Sequence, residues 1–340
     1  MVASRRWKVP TIEDVASHAG VSISTVSRVL NRSTHKVNAH TRELVLRAVK
    51  ELNYRPNAVA RSLIQGQTKT LGVLIPDISN PYYSSIVHGI ETAALAAGYA
   101  VFLCNTDRNP KKQRHYVRIL QEKRIEGVIA AGGAVADEDL GFFDDMGVPL
   151  VSIGSTPRTG AVVEVNNAFA TYQLTKYLME QGHERVAFIA GPISSVSSKA
   201  RIEGCRAALG EQGGILPNAL IKHGTWRSQS GYELARQLLE KAHKQFSAII
   251  VANDLMALGV LRALYDRRVQ VPDVLSVAGH DDIPEASFTV PSLTTMRIPS
   301  CELGSNATTV LIDLIERGGV ANKMTFEAEL VRRESTGPPP

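Results

Sequence analysis

The chain has 340 residues, of which 44% are hydrophobic and 21% charged, and a formal net charge of +5. That length implies two or three structural units, and the absence of any run of about 18 apolar residues excludes a membrane-spanning helix. The opening "MVASRRWKVP" has basic residues with no apolar stretch behind them, so no secretory signal is expected, and Cys104, Cys205 and Cys301 are too scattered for metal ligation and fit reduced thiols.

The charge is unevenly placed. Residues 1–66 hold 11 Lys or Arg against 4 Asp or Glu, a net of +7, whereas the remainder holds 27 against 29, a net of −2. A basic first fifth is either a solvated tail or an electrostatic footprint for nucleic acid. The segment "TIEDVASHAGVSISTVSRVLN" decides between them. Thr11 is placed to cap a first helix through Val15, Ala16 and Ala19, with Asp14 three residues on, and Gly20 stops it. Ser22 is placed to cap a second helix carrying Ile23, Val26, Val29 and Leu30. Two short helices about a glycine-containing turn make a helix-turn-helix, although the spacing alone also fits any helical hairpin. A third helix, from about Thr41 to Leu52, supplies Leu44, Val45, Ala48, Val49 and Leu52 to cover the pair. The second helix exposes Ser24, Thr25, Ser27 and Arg28. Hydroxyls suit phosphates and Arg suits the O6/N7 edge of guanine, which favours DNA.

Next comes "NYRPNAVARSL". Asn57–Leu63 reads as a helix of two turns, with Pro56 at its first position and Val59 and Leu63 on one face. Such a helix is marginal in water, because nucleation is costly and few hydrogen bonds follow.

From Thr70, short β-rich runs ("TLGVLIP", "AVFLCN", "GVIAAG", "PLVSIG", "RVAFIAG", "SAIIVAN", "LSVAGHD") alternate with helical stretches near Tyr83–Ala97, Lys111–Lys123, Asn167–Gln181, Arg201–Gln212 and Leu255–Arg267. This alternation predicts parallel sheets with helices on both faces. The number of strands predicts two doubly wound α/β lobes with a cleft between them, the chain crossing at "EVNNAF". Ligands of such sheets bind outside the carboxyl ends of the strands. There Asn253 and Asp254 follow "AIIVA", Asp281 and Asp282 follow "LSVAGH", Arg201 follows "ISSVSSKA", and Trp226 sits in "GTWRSQSG". Fixed Arg, Asp and Asn groups beside an aromatic face suit a polyhydroxylated ring. Asp254 equally suits the cap of a helix starting at Leu255, and Trp226 equally suits a core position. The chain has no GxGxxG, no GxxxxGK[ST] and no GxSxG, so neither a cofactor nor a catalytic nucleophile is expected.

These motifs, with "TLGVLIPDISNPYYSSIVHGIE", "LCNTDRNPKKQRHY", "GPISSVSSKARIEGCRAAL", "VANDLMALGVLRAL" and "GHDDIPEASFTVPSLTT", make nearly the whole chain similar to the LacI/GalR family of bacterial transcriptional regulators. The resemblance implies an all-α helix-turn-helix headpiece at 1–56 and a hinge helix and linker at 57–69. It implies a periplasmic-binding-protein-like core at 70–340, crossed three times by the chain. The N-lobe is expected at about 70–164 and 295–325, and the C-lobe at about 165–294 and 326–335. DNA contacts are implied for Thr11, Ser22, Ile23, Ser24, Thr25, Ser27, Arg28 and Asn31. In the hinge, Leu63 matches a leucine inserted at the operator's central step, and Asn57 and Ala60 match groove-lining neighbours. Effector contacts are implied for Tyr82, Tyr83, Arg201, Trp226, Asn253 and Asp281.

The chain departs from some relatives in having Gly154 where they place an Asp and Ile298 where sugar binders carry a Gln. A pocket with one carboxylate fewer, near Lys199 and Arg201, favours an anionic ligand such as a sugar acid. The ending "RRESTGPPP" lacks leucine heptads, so a homodimer is expected. The reading is a cytoplasmic, non-enzymatic repressor that binds double-stranded operator DNA under control of a sugar or related effector. The alternatives are a sugar-binding receptor without a DNA role, a purine-responsive corepressed regulator and an α/β enzyme.

Overall fold

Three short helices build the first unit: α1 (Ile12–Ala19), α2 (Ile23–Leu30) and α3 (Ala39–Glu51). At the start of α1, Thr11 Oγ1 accepts from the Asp14 amide at 3.3 Å, and the Asp14 carboxylate accepts from the Thr11 amide at 2.8 Å. Gly20, at φ 65°, closes this helix in the left-handed conformation. Ser22 Oγ accepts from the Thr25 amide at 3.2 Å, the bond of a helix cap. Helix α3 begins earlier than Thr41, because Asn38 caps it, its Oδ1 accepting from the His40 amide at 2.9 Å. None of the three is long enough to persist alone in water. Their stability comes from a shared core of Val15, Ala16, Val26, Val29, Val45, Ala48 and Tyr54.

The structure, a computed structural model, describes residues 10–30, 37–55, 67–133, 137–154, 160–242, 245–318 and 323–340. The expected hinge helix, with Asn57, Ala60 and Leu63, lies outside the described residues, as does Asn31. The chain divides into two compact units, Met1–Thr68 and Lys69–Pro340.

The second unit contains two six-stranded sheets. The N-lobe sheet runs β2 (Ala100–Asn105), β1 (Thr70–Ile75), β3 (Gly127–Ala131), β4 (Leu150–Ile153), β5 (Ala161–Val165) and β11 (Lys323–Phe326), all parallel. The C-lobe sheet runs β7 (Ile221–His223), β6 (Val186–Ala190), β8 (Ala248–Val251), β9 (Ser276–Asp281), β10 (Thr294–Arg297) and β12 (Glu329–Val331). Only the β10–β12 pair is antiparallel. Helices α4 (Pro81–Ala96), α5 (Pro110–Glu122), α6 (Asp137–Asp145) and α11 (Ser300–Arg317) belong to the first lobe. Helices α7 (Asn167–Glu180), α8 (Val196–Gly210), α9 (Ser228–Ala242) and α10 (Asp254–Asp266) belong to the second. The fully buried central strands are continuous apolar runs, as sheets covered on both faces require.

The chain crosses between sheets after β5, after β10 and after β11. The second crossing falls later than residue 295, because Thr294–Arg297 pairs in register with Ala278–Asp281 and so belongs to the C-lobe. Helix α8 begins five residues before Arg201, since Ser195 accepts from the Ser198 amide at 3.3 Å. Helix α10 begins at Asp254 and not Leu255; its cap is Asn253, whose Oδ1 accepts from the Met256 amide at 3.1 Å.

Helices α4 and α11 pack backbone to backbone. A Cβ at Gly89 would overlap the Cys301 carbonyl oxygen, and one at Gly304 would overlap that of Ile86. Gly304→Ala is therefore expected to lower the stability of the core by about 1–3 kcal/mol, the usual cost of overpacking, read as an earlier denaturant midpoint. Among the described residues no helix is long and apolar enough to cross a membrane.

Candidate functional site

In the headpiece, α2 presents the polar surface expected of a DNA-reading helix. Ile23, Ser24 and Arg28 are exposed, whereas Thr25 and Ser27 are half-buried, so the expectation of full exposure fails for those two. They flank Val26, which is buried in the three-helix core. Ser22 Oγ lies 2.8 Å from both Ser24 Oγ and Thr25 Oγ1, so these hydroxyls bond to one another in the free protein. The Thr11 hydroxyl is exposed and bonded within the cap of α1.

In the core, strand order reverses at β1 in one lobe and at β6 in the other, which opens a crevice at the carboxyl ends of the strands. A cavity of about 300 Å³ lies there, lined by Pro76, Asp77, Asn80, Tyr83, Asp107, Arg108, Thr225, Trp226 and Arg227. Asp77 follows β1, Asp107 and Arg108 follow β2, and Thr225–Arg227 follow β7. The two walls touch where Arg227 reaches Asp77, at 3.3 Å.

Trp226 is half-buried and is held at φ 69°. Its carbonyl accepts from Asn253 Nδ2 at 3.1 Å. Its ring lies against Gly191 so closely that a Cβ there would overlap it. Trp226 is thus a cavity wall with one face on the C-lobe core, combining the two roles left open for it. Beneath it, buried Arg201 donates Nε–H to Asn167 Oδ1 at 2.8 Å and a second N–H to the Ala252 carbonyl. The Arg201 guanidinium is 6.0 Å from the Trp226 ring and 3.8 Å from Asp281 Oδ1. Asp281 sits in a backbone conformation, φ 116°, that few non-glycine residues adopt.

Burial pushes the Asp281 carboxyl up to about 7, with Arg201 opposing the shift. Asp254 is fully buried. It accepts from Thr295 Oγ1 at 2.7 Å and from the Ile283 amide at 3.0 Å. Burial and the neighbouring Asp281 charge hold it well above the usual carboxylate range. His280, bonded through Nε2 to Thr171 Oγ1 at 3.0 Å, is driven well below the ordinary imidazole value by burial and by Arg201.

The six expected effector residues therefore fall into layers. Tyr83 and Trp226 line the cavity. Arg201, Asn253 and Asp281 form the bonded layer behind Trp226. Tyr82 packs against the hydrophobic cores of both lobes. Lys199, expected near the ligand, is exposed and does not line the cavity. Asp77, Asp107, Arg108 and Arg227 line it without having been singled out from the sequence. The signal that locates Asp77, Asp107 and Arg108 is the strand-end rule applied to "TLGVLIPD" and "AVFLCNTDR".

A three-helix DNA-reading headpiece joined to a two-lobed, cleft-bearing α/β core defines a class of ligand-responsive DNA-binding regulators. Residues 11–57 match the family of bacterial regulatory proteins described as the lacI family, and residues 175–336 match the periplasmic binding protein-like domain. The chain is 38% identical over 308 residues to the ribose operon repressor of Escherichia coli strain K12, covering 90% of this chain and 93% of that protein. It is 37% identical over 330 residues to the HTH-type transcriptional regulator RegA of Clostridium saccharobutylicum, covering 96% and 99%. Its fold superposes on the lac repressor dimer bound to operator and the anti-inducer ONPF with a TM-score of 0.88 at 32% identity, covering 97% of this chain and all of that one. The chain belongs to the LacI family of transcriptional regulators, proteins that act by binding DNA.

Proposed function

We propose that the protein is a repressor whose affinity for operator DNA is set by a sugar or sugar derivative held in the cleft. The carrying observation is the layered site, in which an aromatic wall backed by Arg201, Asn253 and Asp281 faces a monosaccharide-sized cavity. The aromatic face suits the apolar side of a sugar ring, and fixed donors and acceptors suit its hydroxyls. The likeness to the ribose operon repressor supports a sugar. The protein works in the cytoplasm as a homodimer on a pseudo-palindromic operator, with half-sites about one helical turn apart. The hinge residues Asn57, Ala60 and Leu63 enter the minor groove between them. A thermal-shift screen of sugars and purines, followed by operator binding with each hit, tests this reading; hits that leave operator affinity unchanged would defeat it.

In the headpiece, Thr11, Ser22, Ser24, Thr25 and Ser27 serve phosphates, Ile23 offers apolar contact, and Asn31 is a further DNA contact. Arg28 carries direct base readout. Arg28→Ala is expected to lose about 1–3 kcal/mol on the cognate operator and much less on random DNA. Equal losses in a competition binding assay would reduce Arg28 to a phosphate contact.

A further inference from the structure

The acidic groups of the cleft are already partnered. Asp77 pairs with Arg227 at 3.3 Å, Asp107 with Lys112 at 2.5 Å, and Asp281 with Arg201 at 3.8 Å. Arg108 differs from the other cations in this set. Its guanidinium bonds only neutral oxygens, the Gly132 carbonyl at 3.4 Å and the Tyr83 hydroxyl at 3.3 Å, and among the described residues no carboxylate lies within ion-pair distance. Those two bonds occupy one N–H on each terminal nitrogen. A guanidinium carries five N–H groups in a rigid fork, so three remain. Arg108 is half-buried, lines the cavity and is held in place by its two bonds, so a fixed cation with spare donors borders the cleft cavity.

We propose that Arg108 forms a subsite for an anionic group, carboxylate or phosphate, carried by the effector, with the polyhydroxylated part of the molecule resting against Trp226. The inference rests on the cleft being the effector site, as argued above, and narrows the effector to an anionic sugar derivative. The opposite wall agrees with it. Burial holds both Asp281 and Asp254 above the usual carboxylate range, which lowers the negative charge of that wall near neutral pH. A fork that meets two oxygens of one anion gives both charge pairing and orientation.

The test uses the full chain and matched probes: D-ribose, D-ribonate and D-ribose 5-phosphate, and D-glucose, D-gluconate and D-glucose 6-phosphate. Binding is measured by calorimetry and operator release by fluorescence anisotropy. In at least one set an anionic member is expected to bind about tenfold or more tightly than its neutral partner. Which anion wins distinguishes carboxylate from phosphate. Arg108→Gln is expected to bring that ratio close to one, and Arg108→Lys to retain part of it. Arg114→Gln, on the exposed face of α5, is expected to leave the ratio as it is. Neutral sugars that bind as well as their anionic partners, an anion preference that survives in Arg108→Gln, or no anionic probe binding at millimolar concentration would each overturn the subsite. If a neutral sugar binds and releases operator, the regulatory reading stands and the anion subsite fails. If an anion binds through Arg108 and no ligand alters operator affinity, the subsite stands and the regulatory reading fails.

Discussion

Arg201→Lys is expected to leave a folded core whose operator affinity no longer responds to ligand, whereas Arg201→Ala is expected to lose stability as well. The two outcomes follow from the four things this side chain does at once. It joins Asn167, next to the first crossing between the lobes, to the Ala252 carbonyl, and it faces both Asp281 and Trp226. Lys keeps the charge beside Asp281 but cannot reproduce the planar fork, so the bonds that orient the site are lost. Ala removes the charge too. Truncating one partner of a buried pair costs about 3–5 kcal/mol when the other stays ionised. Because burial already raises Asp281, protonation limits that cost, and the loss should be larger at alkaline pH than at pH 6. Ligand affinity should fall by about a hundredfold in Arg201→Lys, in line with the loss of a buried charged hydrogen-bonding group. Operator affinity measured with and without the ligand identified by the thermal-shift screen reads the effect. An Arg201→Lys protein that still switches would remove Arg201 from the effector site.

Asp281→Asn is expected to change how the core's stability depends on pH. The folded carboxyl titrates at about 7, above its unfolded value, so between about pH 4 and pH 7 the folded state binds a proton that the unfolded state has released. The contribution of this group is therefore greatest at the acid end of that window and is lost as pH rises through 7. Asp254, also raised, acts in the same direction. His280 and His183, both lowered by burial, act in the opposite one, because the unfolded state takes up their protons as pH falls. The parent's net slope mixes these terms, and the difference between parent and variant reports Asp281 together with the part of the Asp254 shift that its charge causes. Urea midpoints across this range should show the parent losing stability relative to Asp281→Asn as pH rises. A constant difference would mean that the carboxylate is ionised throughout.

The headpiece is the most legible part of the sequence because its signals are local. Thr11 with Asp14, Gly20 and Ser22 act within a few residues, and each cap forms where the spacing puts it. The core is legible at the level of alternation, and its details are harder to read. Helix α9, "SQSGYELARQLLEKA", opens on Ser and Gln, residues that read equally well as a loop. Strand β7 is three residues long, and β10 to β12 become strands only by pairing with distant partners. The start of α8 was hidden in "ISSVSS" for a related reason: serine both caps helices and populates loops. In the cleft, Arg201, Trp226, Asn253 and Asp281 could be named from strand ends and resemblance. Arg108 and Asp77 sit in "NTDRNP" and "PDISNP", which look like ordinary turn chemistry. Their proximity to Trp226 and Arg227 arises from the juxtaposition of two sheets, which no local spacing encodes.

The contact between Arg227 and Asp77 makes the cleft responsive to dissolved ions. The Arg227 side chain is 63% exposed, so mobile ions reach it, while Asp77 is largely covered. Screening shortens the reach of such a pair from about 10 Å at 0.1 M salt to about 3 Å at 1 M. The bond is weak, worth less than about 1 kcal/mol, yet it is one of the links holding opposite walls together. Salt already weakens any protein's grip on DNA by returning counterions to the phosphates. Here a second ionic dependence lies within the protein, in the resistance of the walls to separation. A ligand that displaces Arg227 from Asp77 removes the second dependence and leaves the first. With such a ligand, the free and liganded forms of the repressor differ in their sensitivity to ionic strength.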